Sequence, residues 1–268
     1  MMVRLATRLE IRSIRPHLTP LAELAGPVVL AELGWMAMGV VDTLMVRHLG
    51  PAAIGAVGIG STLYMAIGVF GIGVLLALDP LVAQAYGARR LDECHRWLWH
   101  GLAMALFLTM PLTLLGLSLP AALRTLGVHP EVLPLTESYL WIVNWSLLPL
   151  LLYGAARRYL QGMSVVRPIM LALISANLIN AVANWVLVNG RLGLPALGVA
   201  GAAWATFASR VHMALVLFVA ISMRDRRAPQ RLRSTPRHLE LSRLLRLLRL
   251  GLPAAGQLTL EVGVFGAT

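Results

Sequence analysis

Residues 24–46 read LAGPVVLAELGWMAMGVVDTLMV, an apolar run interrupted only by the acids Glu32 and Asp42. About 20 such residues cross the roughly 30 Å hydrocarbon layer of a bilayer as a helix. Runs of the same kind follow at 54–78, 97–119, 132–153, 168–188 and 197–221, and a seventh occupies 247–268. The connections are short and polar. Pro51, Pro130, Pro168 and Pro195 stand at or near span starts, where a missing N–H costs little. Helices satisfy their own backbone groups in lipid, whereas an outer-membrane barrel would show short alternating segments. The expected fold class is all-α, a polytopic membrane helix bundle.

Composition agrees. The chain is 58% hydrophobic and 13% charged, with a mean hydropathy of +0.74, against roughly 25% charged in an ordinary soluble domain. Its net charge of +11 comes entirely from arginine, since no lysine is present. Arg4, Arg8, Arg12 and Arg15 precede the first span. Arg89, Arg90 and Arg96 lie between the second and third, and Arg157, Arg158 and Arg167 between the fourth and fifth. Between the sixth and seventh come Arg224, Arg226, Arg227, Arg231, Arg233, Arg237, Arg243, Arg246 and Arg249. The alternate loops hold only Arg47, Arg124 and Arg191. This positive-inside pattern sets the N-terminus in the cytoplasm. The charge is thus a topology signal, with contact to anionic lipid secondary and no nucleic-acid partner expected. The first run is too long, and carries too many acids, for a cleaved signal peptide. The single cysteine, Cys94, excludes an intramolecular disulfide. It is expected in a short polar loop as a reduced thiol.

Four segments follow: a cytoplasmic amphipathic N-terminus (1–20), a six-helix lobe (21–223), a basic cytoplasmic linker (224–243) and the start of a second lobe (244–268). Leu24-Ala25-Gly26-Pro27 and Leu250-Gly251-Leu252-Pro253 both open a span after a basic amphipathic stretch. Such spacing suits a parallel repeat of six helices, a transporter architecture. The chain then reads as one lobe plus the opening helix of another. That seventh helix is expected to pack loosely.

Ionisable side chains within hydrocarbon are costly and are candidates for function. Burial disfavours a charged carboxyl, so Asp42 could bind a proton, a sodium ion or a cationic ligand. At the outer interface it would merely cap helix hydrogen bonds. Asn177, Asn180 and Asn184, spaced by three and four, share one helix face. They serve either as glue between helices or as ligand contacts. Thr206 adds a hydroxyl, and one carboxylate with amide and hydroxyl oxygens suits a hard cation. A Na⁺ at Asp42, Asn180, Asn184 and Thr206 is the one metal expected. Glu261 and Glu32 could be proton sites or structural pairs. The structural reading is preferred for Glu32, which with Asn177 and Asn144 is a candidate lining of a substrate cavity. Asp79 is expected to be solvated near the cytoplasmic interface. Gly55, Gly58, Gly60, Gly68, Gly71 and Gly73 suggest tight helix packing. No P-loop, HExxH or Gly-x-Ser-x-Gly motif is present, and no clustered metal ligands. An enzyme is not expected, nor a cofactor beyond a coupling ion.

Several stretches resemble one family. They are Val41-Asp42-Thr43-Leu44-Met45-Val46 with His48-Leu49-Gly50, then Asp79-Pro80-Leu81-Val82-Ala83-Gln84-Ala85-Tyr86-Gly87. Arg158-Tyr159-Leu160-Gln161-Gly162 with Arg167-Pro168 follows, then Asn180 with Asn184-Trp185, and Leu197-Gly198-Val199-Ala200-Gly201-Ala202-Ala203-Trp204-Ala205-Thr206. In order and spacing they are similar to the multidrug and toxic compound extrusion (MATE) transporters, the NorM-like branch. The resemblance implies two six-helix lobes, alternating access driven by H⁺ or Na⁺, and export of small organic, often cationic, compounds across a bacterial inner membrane. It implies that Asp42 is the acidic residue of the first helix. Asn180, Asn184 and Thr206 become its polar neighbours, and Glu261 the acidic residue of the seventh helix. The chain departs from the family in carrying Arg47 where glycine is usual, and in lacking the rest of a second lobe. A lipid-linked saccharide flippase, the main alternative, would want basic residues in its cavity, and only Arg210 lies within a span. A non-transporting membrane fragment is the other alternative.

Overall fold

The computed structural model describes residues 37–226 and 238–267, with isolated positions at 26, 29, 33, 34, 232 and 235, and side chains of the last helix through Glu261. The N-terminal segment 1–20, Glu32 and much of the linker 224–243 lie outside the described residues. Helix α1 covers 37–46 and ends in a short 3₁₀ turn, Arg47–Leu49. Then come α2 (Pro51–Leu75), α3 (Leu78–Gly87), α4 (Leu91–Thr125), α5 (Leu133–Trp145), α6 (Leu147–Gly162), α7 (Arg167–Asn189), α8 (Val199–Asp225) and α9 (Leu241–Ala267). Gly50, at φ +101°, turns the chain from α1 into α2, and Pro51 opens the new helix.

Among the described residues, four helices are long and apolar enough to cross a membrane. They are α2 with α3, α4, α7 and α8. The pair α5–α6 makes a fifth if it is one span. Here the structure departs from the uninterrupted run at 132–153, because the helix breaks at Ser146 and bends by 43°. Pro149 explains the break: it has no N–H to offer the carbonyl of Trp145, and its ring crowds that carbonyl. Helix α4 also exceeds its predicted span, running for 35 residues.

Small residues set the helix spacing. A Cβ on Gly60 would strike the ring of Tyr139, and one on Gly71 would strike Leu151. On Gly73 it would meet the backbone of Ala255 at 2.5 Å, and on Gly251 the backbone of Val74. Helices α2 and α9 therefore touch main chain to main chain, which is closer than the loose packing expected of the seventh helix. The outer face of α9 leaves Leu241, Leu245, Leu252 and Leu260 exposed. Gly58, by contrast, faces open space.

Two local readings are corrected. Cys94 is in the first turn of α4 and fully buried, its thiol 3.8 Å from the carbonyl of Val82. The polar residues around it belong to a helix that starts earlier than hydropathy indicates. Asp79 is not freely solvated, because Arg158 of α6 donates to its carboxylate at 3.1 Å. The ion pair forms because α3 and α6 pack together, a tertiary contact that local sequence does not show.

Candidate cation site

The site grows from the α7–α8 hairpin. Gly190, at φ +67°, ends α7, and the amide of Leu197 returns to the carbonyl of Leu187 at 2.9 Å. Gly201 then lets α8 lie on the backbone of Leu187 and Val188, where any Cβ would collide. This close approach brings Thr206 of α8 level with Asn180 and Asn184 of α7. Asp42, in the last turns of α1, faces all three.

One carboxylate joins the three helices. Its Oδ1 accepts from Asn180 Nδ2 at 3.0 Å and from Asn184 Nδ2 at 2.7 Å. Its Oδ2 accepts from the Thr206 hydroxyl at 2.6 Å. All four side chains are buried, at most 3% exposed. Asp42 is thus enclosed by protein, with partners on two other helices. Asn184 Nδ2 also donates to the carbonyl of Asn180 at 3.0 Å. The amide oxygens of Asn180 and Asn184 have no hydrogen-bond partner among the described residues. Such buried acceptors suit a cation or a water better than apolar surroundings.

Sequence reasoning missed part of the site. Asp42, Tyr64, Tyr139, Thr206 and Arg210 border one cavity of about 60 Å³. Arg210 is only 7% exposed. It donates to the hydroxyl of Ser146 at the α5–α6 break, and its guanidinium carbon lies 4.3 Å from the centre of the Tyr64 ring. The Tyr64 hydroxyl is 3.4 Å from Ser146 Oγ. The signal was present: Arg210 follows Thr206 by four residues, so both project from one face of α8.

The other predicted residues go elsewhere. Asn177 donates to the carbonyls of Gly34 and Leu173, each at 2.9 Å, and ties α7 to α1 without reaching the carboxylate. Asn144 donates to the carbonyl of Thr113 at 3.0 Å and sits against Gly116, so it joins α5 to α4. Glu137 accepts two bonds from Arg124, at 2.7 and 2.9 Å. Glu261 is exposed on α9 and is not a wall of the cavity.

A family model described as MatE matches residues 27–186. A probable multidrug resistance protein NorM of Mesorhizobium japonicum is 32% identical over 246 residues, covering 91% of this chain and 53% of that protein. Multidrug resistance protein NorM of Vibrio cholerae is 32% identical over 245 residues, covering 91% of this chain and 54% of its own length. The chain therefore spans about half the length of the curated relatives it matches. The crystal structure of a eukaryotic MATE transporter superposes with a TM-score of 0.81 at 22% identity, covering 93% of this chain and 55% of that one. A MATE structure in the bent conformation gives 0.79 at 23% identity, covering 91% and 54%. These structures share the fold.

Proposed function

We propose that this chain, which belongs to the MatE family, supplies the cation-binding lobe of an antiporter that exchanges an inward-moving H⁺ or Na⁺ for outward-moving organic, often cationic, compounds. The observation that carries the reading is the buried carboxylate of Asp42, held by Asn180, Asn184 and Thr206 from two other helices. An acid with no catalytic neighbour, placed within membrane helices, is suited to exchanging a cation. Relatives described as multidrug resistance proteins support the substrate class.

In this reading a single carboxylate holds α1, α7 and α8 in one arrangement. A bound cation changes what Asp42 can accept. Protonation removes its charge and weakens each of the three bonds. A metal ion needs the amide oxygens in place of the amide N–H groups. Either event alters the relative free energies of two lobe shapes, which is how ligand binding is linked to alternating access. The cavity of about 60 Å³ takes an ion or a few waters, not an organic molecule. The exported compound therefore binds outside it, in the space between two lobes. The arginine distribution supports an N-terminus in the cytoplasm and placement in a bacterial inner membrane.

The test is export of a fluorescent cationic dye from proteoliposomes under an imposed proton or sodium gradient. In a two-lobed transporter carrying this lobe, Asp42→Asn is expected to abolish gradient-driven export with insertion intact. Unchanged export by the inserted variant refutes the reading. This chain alone is expected not to move dye, and gradient-driven movement by it refutes its role as a single lobe.

A further inference from the structure

We infer that Arg210 sets the ion selectivity of this lobe: its fixed guanidinium keeps Na⁺ out of the cavity it shares with Asp42, leaving the proton as the coupling ion. The inference rests on the cation-exchange reading above and narrows it to one ion.

Arg210 is a permanent charge, because a guanidinium does not deprotonate in proteins. It is also an anchored one. Ser146 receives one of its N–H groups and the Tyr64 ring lies under it, so two elements besides α8 hold it in place. Its Nε is buried with no hydrogen-bond partner among the described residues. It lines the same cavity as Asp42, and its charge acts on that carboxylate. The other polar groups of the cavity and its carboxylate are the hydroxyls of Ser61 and Tyr64 on α2, Tyr139 on α5 and Thr206 on α8, and the amides of Asn180 and Asn184 on α7. Arg210 is therefore the one fixed cation among the described groups around the cavity.

A sodium ion bound to Asp42 from within this cavity would share it with the guanidinium, and two unit charges about 6 Å apart repel appreciably in a protein interior. At an effective dielectric of about 20, that repulsion lowers affinity about a hundredfold. The donor geometry acts in the same direction, because three N–H and O–H groups already occupy the carboxylate. A proton meets the same repulsion, but the consequence differs. Buried carboxyls hold protons tightly, so a hundredfold loss leaves a proton site that can both fill and empty. Oxygen sites for monovalent metal ions start weak, and the same loss empties them.

The experiment is equilibrium binding of radioactive sodium to the purified full chain in nanodiscs, with choline keeping the ionic strength constant. The wild-type chain is expected to show no saturable Na⁺ binding that Asp42→Asn removes. Arg210→Gln is expected to gain such binding, about a hundredfold tighter, and to lose it again when combined with Asp42→Asn. Arg210→Lys keeps the charge and is expected to behave as wild type. Asp42-dependent Na⁺ binding by the wild-type chain overturns the inference, as does a folded Arg210→Gln variant that gains none. If Arg210→Gln does not fold, Arg210→Met, which removes the charge and keeps the length of the side chain, is expected to gain the same Asp42-dependent binding, and a folded variant that gains none overturns the inference. Failure of dye export with sodium exclusion intact would count against the transport reading alone.

Discussion

Thr206 and Arg210 stand one turn apart on one face of α8 and border one cavity. Thr206 donates to the Asp42 carboxylate, while Arg210 donates to Ser146 at the broken junction of α5 and α6. One helix thus carries both the group that steadies the acid and the charge that opposes a second cation.

The Thr206 bond can be removed almost isosterically. Thr206→Val takes the 2.6 Å donor away from a buried carboxylate. Hydrogen bonds to charged groups contribute about 1.5–3 kcal/mol, and a loss of that order is expected at a pH where Asp42 is ionised. Thr206→Ser should retain most of it. Thermal unfolding of the two variants in nanodiscs is the measurement, and equal stability would show that Asp42 is not charged in this state.

The α2–α9 seam separates glycines by what surrounds them. Gly251→Val forces a side chain into the backbone of Val74, whereas Gly256→Ala places a methyl where nothing lies within 4 Å. The first is expected to lose about 1–3 kcal/mol, the range for overpacking, and to detach α9 from α2. The second should stay within about 0.5 kcal/mol of wild type. Proteolysis after α8 and thermal unfolding would read both, and equal behaviour of the two variants would contradict the seam.

The segment leading into α9 is expected to loosen in acid. Glu240 accepts from Arg243 at 2.9 Å, which holds its carboxyl below the usual range. A depressed value means the contribution is present above the unfolded pKa and is lost as pH falls through the folded one. The window therefore lies below about pH 4. The backbone amide of Leu244, bonded to the carbonyl of Glu240 at 3.2 Å, reports it. Its protection from hydrogen exchange, corrected for intrinsic rate, should fall in that window, and in Glu240→Gln it should be reduced already at neutral pH.

The helical class, the spans and the Asn180–Asn184 face were legible because each depends on periodicity and hydropathy within one segment. The meeting of that face with Asp42 and Thr206 was also foreseeable, since a membrane leaves buried polar groups few partners. Arg210 shows where such reading stops. Counting it as one basic residue among few spans weighed its charge and ignored its direction, which Ser146 and Tyr64 decide. The amide of Asn144 is bonded to the carbonyl of Thr113 in α4, a distant partner that no local pattern announces.

Helix α4, at 35 residues, is about 52 Å long, well over the roughly 30 Å thickness of a hydrocarbon layer. A rod that outreaches its bearing is a lever. Tilting it by about 10° about its midpoint would sweep each tip through roughly 4–5 Å, by the length that helix geometry assigns. The tip at Leu91 is not free, because Glu93 grips Arg243 at 2.7 Å near the start of α9. A small rotation inside the bilayer would thus arrive at α9 as a pull along its first turn, converting tilt into traction.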